Sequence, residues 1–127
     1  MAALSDYAEN LLNQWLMTNG AATRPTAWYV ALFTAAPSDS GGGTEVSTGG
    51  YARQSATFTV TGDTASNSGA ISFTASGASW GTITHIGIFD AVSAGNLLWH
   101  GALTASKTIA DGDTLEFSTG NIDLTLA

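Results

Sequence analysis

From residue 28 onward the chain never sustains a helical repeat. It breaks instead into short apolar or alternating runs closed by turn residues, a segmentation that suits antiparallel strands. Trp28-Tyr29-Val30-Ala31-Leu32-Phe33 is a continuous β-prone run, the pattern of a strand buried on both faces. Tyr51 to Val60 alternates, with Ala52, Ala56, Phe58 and Val60 on one face and Arg53, Ser55, Thr57 and Thr59 on the other. Ala70 to Phe73, Thr82 to Phe89, Leu97 to Leu103, Leu115 to Phe117 and Ile122 to Leu126 continue the series. Asp90 to Gly95 reads as a hairpin turn, and Asp111-Gly112-Asp113 as another. Two stretches read as free of strands: a flexible Gly/Ser-rich loop over 37–50, and the polar Gly62 to Gly69. The expected fold is mainly β, an antiparallel β-sandwich or jelly roll of roughly seven to eight strands. With no βαβ alternation, a parallel nucleotide-binding sheet is not expected.

One helix precedes the strands. Leu4, Ala8, Leu11, Leu12, Trp15 and Leu16 recur at helical spacing and predict an amphipathic helix within residues 4–18. Ser5 and Asp6 suit its N-cap, Asp6 and Glu9 complement its positive end, and Asn19-Gly20 is a natural stop. Such a helix either covers an edge or open end of the sandwich or docks to a partner. At 127 residues, 44% of them hydrophobic, the whole of 1–127 is expected to be one domain, with the β part at 27–127.

Charge narrows the function. Arg24, Arg53 and Lys107 face ten acidic residues, a net charge of −7, and only 10% of residues are charged. Binding nucleic acid or an anionic membrane needs clustered Lys and Arg, so neither partner is expected. Zero cysteine excludes disulfides, thiolate metal sites and thiol nucleophiles. The opening MAALSDYAEN has no basic start and no long apolar run, so neither a signal peptide nor a membrane span is expected.

Chemistry-bearing motifs are few. Gly77-Ala78-Ser79-Trp80-Gly81 matches G-x-S-x-G, and Asp90 and His100 follow in hydrolase order. That motif requires a helix after the serine, whereas strand-like Thr82 to Ile86 follows, so Ser79 is read as part of a turn and no catalysis is expected. His85 and His100 lie on strands that can pair, yet apolar neighbours surround them, and no metal is expected. Asp111-Gly112-Asp113 lacks the remaining ligands of a calcium loop, and Gly41-Gly42-Gly43 lacks the lysine and helix start of a phosphate cradle. No cofactor is expected. Four Trp exceed what so small an interior needs, and large rings anchor protein interfaces. Leu11, Trp15, Trp28, Trp80 and Trp99 are therefore the candidate interface residues.

Several segments together carry a resemblance: Thr23 to Thr34 (TRPTAWYVALFT), Gly49 to Gln54 (GGYARQ), Ser79 to Asp90 (SWGTITHIGIFD) and Gly95 to Gly101 (GNLLWHG). Over nearly its whole length the chain resembles small virion structural proteins of tailed bacteriophages, described as tail fibre-like, minor capsid or decoration proteins. The resemblance implies assembly and brings no catalytic residue. The leading expectation is a cement protein that binds the head shell, with the major capsid protein or other virion proteins as partners. It would act as a symmetric homo-oligomer, a trimer being one such form. The alternative is a tail-fibre or spike module reading a host glycan, with Trp99 or Trp80 beside Asp90 and Asn96.

Overall fold

A computed structural model describes residues 2–126; Met1 and Ala127, the ends of the expected single domain, lie outside the described residues. The chain runs β1 (Ala2–Leu4), α1 (Asp6–Met17), β2 (Trp28–Ala35), β3 (Thr44–Glu45), β4 (Gln54–Ala56), β5 (Phe58–Thr61), β6 (Thr64–Asn67), β7 (Ile71–Thr74), β8 (Gly81–Phe89), β9 (Leu97–Ile109), β10 (Thr114–Phe117) and β11 (Asp123–Thr125). All pairings are antiparallel. A six-stranded sheet of order β1-β9-β8-β2-β3, with β4 also on β2, forms one layer. The pair β10-β7 and the three-stranded β11-β6-β5 make up the other. Buried side chains of all three sheets, among them Leu32, Ile83, Ile88, Phe73, Phe117 and Leu124, meet in one cluster, as in a sandwich.

The mainly β expectation and the lone helix hold, with differences that have physical causes. Among the described residues there are eleven strands, because polar segments and Ala2–Leu4 also pair and the run 51–60 divides in two. The loop over 37–50 contains β3 and a bridge between Ser38 and Gly41, and two of its glycines, Gly43 and Gly49, hold turns where a side chain would meet backbone. At Gly49, with φ +63°, a Cβ would lie 2.4 Å from Ala78 O and 2.7 Å from Trp80 Nε1. The polar stretch 62–69 holds β6, closed by a tight turn onto β5. At the end of β6, Asn67 is fully buried and fully satisfied. Its amide nitrogen donates to Gly69 O and Ser118 O, and its amide oxygen accepts from Ile122 N. The alternating run 51–60 divides at Thr57 into β4, which joins the large sheet, and β5, which joins the small one. That division leaves Val60 exposed rather than in the core.

At the N-terminus Leu4 belongs to β1, opposite Trp99, and the helix begins only at Asp6. Ser5 is the N-cap: its buried hydroxyl accepts from Ala8 N at 3.1 Å and donates to Leu97 O, while its own N–H donates to Leu98 O. A cap that also bonds β9 fastens the helix to the body by its first turn. Among the described residues, no helix is long and apolar enough to cross a membrane.

Candidate functional site

Away from the interior, two surfaces carry apolar side chains with little over them among the described residues. The first is α1. Its apolar stripe starts against the body at buried Ala8 and then leaves it: Leu11 and Leu12 are half-buried, and Trp15, Leu16 and Met17 are 68%, 64% and 77% exposed. The sequence pattern is that of a packed helix, but the body ends before the stripe does.

The second surface is a groove of about 560 Å³ lined in part by Ile86, Trp99, Leu103, Lys107, Phe117 and Asp123. Strand pairing explains it. β1 pairs with β9 from Trp99 to Gly101, and among the described residues no strand pairs with that edge of β9 beyond it. There the register on β8 also jumps. His85 faces Ala102 and Ile83 faces Lys107, so Thr84 alone stands against Leu103 to Ser106. Across the gap, β10 and β11 belong to different small sheets and do not pair. The second layer is split, and Ile86, Trp99 and Leu103, only half-buried, look out through the opening.

Polar groups elsewhere are occupied in holding the body together. Arg53 makes a two-pronged ion pair with Glu45 (Nε to Oε2 2.8 Å, Nη2 to Oε1 2.9 Å). It also donates to Ala91 O and Ala94 O in the β8–β9 turn and lies 3.7 Å over the Phe89 ring. Tyr51 donates to Glu45 at 2.6 Å and accepts from Leu32 N at 3.0 Å. Burial alone would raise the Glu45 carboxyl; hydrogen bonds from Arg53 and Tyr51 and the Arg53 charge outweigh it and hold the group below its ordinary value. Burial, followed by the bond to Glu45, pushes the Tyr51 phenol well above its ordinary value. A second cavity of about 600 Å³ opens beside this network, lined by Tyr7, Phe33, Asp39, Glu45 and Asn96 among others.

The interface candidates part company in three dimensions. Trp15 is fully outside, Trp28 is exposed at the start of β2, Leu11 is half-buried on α1, and Trp99 lines the groove. Trp80 needs correcting: at 5% exposure it is a core residue, its Nε1 donating to Gly49 O at 3.1 Å and its ring edge-on to Tyr51. It has no surface to offer a partner.

Nor do the chemical motifs assemble. Ser79 lies in the turn before strand β8, His100 bonds Asp39 at 2.7 Å, and both Asp90 oxygens engage Asn96. Trp80 and Asp90 sit at opposite ends of β8, about 30 Å apart at the rise of a strand, so the glycan-reading group anticipated around Trp80 is not brought together. His85 and His100 do share one face of the paired strands, with His85 bonded to Thr84. Asp111 and Asp113 accept from Gly77 N and Ala110 N, which makes them turn-holding groups. Sequence reading missed the convergence of Asp6, Glu9 and Asp39, whose carboxylates come within 4.8 Å of one another. All three are exposed, and Asp39 lies too far along the chain from the helical pair Asp6 and Glu9 for any spacing to mark the group. The Arg53–Glu45–Tyr51 network was missed because residues 37–50 read as a flexible loop, which hid Glu45 as a fixed partner for Tyr51 and Arg53.

Exposed apolar side chains, on a body whose described buried polar side chains all have hydrogen-bond partners, mark a surface suited to interaction. The class is that of small tailed-phage virion proteins, tail fibre-like. The chain belongs to the family of the Podophage GP4 fiber I protein gp80, whose model matches residues 3–125. No curated protein matches the chain. As a member of that family it is a bacteriophage virion component associated with other virion proteins.

Proposed function

We propose that this chain is a tail-fibre module that works by adhesion alone, joined to neighbouring virion proteins through non-covalent, mainly apolar contacts repeated by symmetry. The observation that carries the reading is the match of residues 3–125 to a fibre family. The exposed Trp15, Leu16 and Met17 give it a physical means. A cement role on the head shell uses the same kind of surface, and the family match is what favours the fibre. Gold-labelled antibody against the chain, applied to intact particles and combined with a copy count, tests the assignment. A small number of copies at the tail is expected; hundreds spread over the head would overturn it.

A further inference from the structure

We propose that Asn19 is a self-modifying site: its side-chain amide is lost without any enzyme, Gly20 acting as the internal nucleophile, and a new carboxylate appears at the outer end of α1. The inference does not depend on the adhesive reading and holds alike for a copy at the tail or on the head.

The backbone nitrogen after an asparagine can attack that asparagine's side chain only where the peptide between them is free to turn. Asn19-Gly20 is the one Asn-Gly pair in the sequence. Glycine puts no side chain beside the attacking nitrogen and gives the peptide its widest choice of dihedral angles. α1 ends at Met17 with Thr18 as its C-cap, and Asn19 and Gly20 are both exposed in the bend that follows, outside every helix and strand. Gly20 N donates to Thr18 Oγ1 at 3.2 Å, a surface bond that water can replace at little cost.

The same chain holds a contrasting case. Asn67-Ser68 also has a small residue after the asparagine, yet its groups are locked. The Asn67 amide nitrogen donates to Gly69 O and Ser118 O, its amide oxygen accepts from Ile122 N, and Ser68 N donates to Thr57 O at 2.9 Å. Attack there must first break buried bonds, whereas at Asn19 nothing comparable stands in the way.

In the reaction, Gly20 N gives up its proton to solvent and bonds to Cγ of Asn19. The Cγ–Nδ2 bond breaks, the side-chain nitrogen leaves as ammonia, and a cyclic imide remains. Water then opens the imide at either carbonyl, giving aspartate, or isoaspartate with the main chain rerouted through the side chain. One water enters and one ammonia leaves, so no oxidant or cofactor is needed. The product carries one negative charge beyond the original −7. That charge lands at the negative end of the α1 dipole, where the last turn has no basic residue to offset it. The turn it loosens is the one that exposes Trp15, Leu16 and Met17.

The whole chain is held in warm, mildly alkaline buffer and followed by isoelectric focusing and peptide mapping, with isoaspartate methyltransferase labelling of the rearranged product. A more acidic species is expected to accumulate, and mapping should place it at Asn19, several-fold ahead of Asn67. Gly20→Ala should slow it several-fold; a Cβ there meets only Thr18 Oγ1 at 3.4 Å, an ordinary contact, so this variant keeps the fold. An unconverted Asn19, equal conversion at Asn67 in the folded chain, or an unchanged rate in Gly20→Ala each overturns the proposal. Asn19→Asp, which carries the charge without the rerouted chain, should speed amide exchange in the last turn of α1 and leave the first turn, fixed by Ser5, as it was. Unchanged exchange in the last turn overturns the loosening. All these readouts are taken on the free chain, so their failure leaves the fibre reading standing, and the failure of that reading leaves them standing.

Discussion

Trp80 and Trp15 are the same side chain in opposite surroundings. Trp80 sits 5% exposed, its N–H bonded to Gly49 O, among stacked and edge-on contacts that link it through Tyr51 to Phe73 and Phe117. Trp15 is 68% exposed, on a helix held by its first turn. Around Trp80 each polar atom has a partner and each ring a neighbour, so that region is finished within one chain. Around Trp15 the apolar stripe of α1 runs on, but among the described residues no layer covers it. The contrast separates what folding needs from what the proposed adhesion would use: one region holds the stability of the monomer, and the other is the surface the proposal assigns to neighbours.

Substitutions break or sharpen that contrast. Phe73→Ala, in the finished region, removes the ring between Tyr51 and Phe117 and should cost about 3–5 kcal/mol, read as a lowered denaturation midpoint. Arg53→Met takes the ion-pair partner from Glu45, leaving it only the Tyr51 hydrogen bond, and leaves two turn carbonyls without this donor, and should cost about 1–3 kcal/mol in the same measurement. The pH profile tests this network from both sides. The lowered Glu45 carboxyl contributes stability that is present above its ordinary value of 4.5 and lost as pH falls through its folded value. The raised Tyr51 phenol contributes stability that is present below its ordinary value of 10 and lost as pH rises above it. The melting temperature should therefore fall toward both extremes, and Glu45→Gln should flatten the acid limb. Ser5→Ala, at the joint between the two regions, removes the cap and should cost about 1 kcal/mol, visible as faster amide exchange in α1. The smallest effect belongs to Trp15→Ala, which should move the monomer's stability by no more than about 0.5 kcal/mol while weakening association. A large loss of monomer stability there would erase the distinction.

Much of the body was legible in the chain. The β2 run predicted its own burial, Val30 to Phe33 being buried, and the β8–β9 hairpin formed about the anticipated turn. Ser5 capped the helix as its residue type suggests. Short polar strands such as β3 and β6 were not legible, because their pairing comes from neighbours rather than from apolar alternation. The site was legible only as a set of residue types. Spacing identifies a tryptophan as apolar and periodic, but says nothing of whether another layer lies over it.

What the sequence by itself determined is the strand-rich character, the one amphipathic helix, the weak and acidic charge, and a likeness to phage virion proteins. Each follows from local pattern or composition, which a chain carries without folding. Only the tertiary structure decided that Trp80 goes inside while Trp15 stays out, that β4 and β5 separate at Thr57, and that the second layer remains split between β10 and β11. Burial depends on what residues distant in sequence place overhead, so no window along the chain contains it.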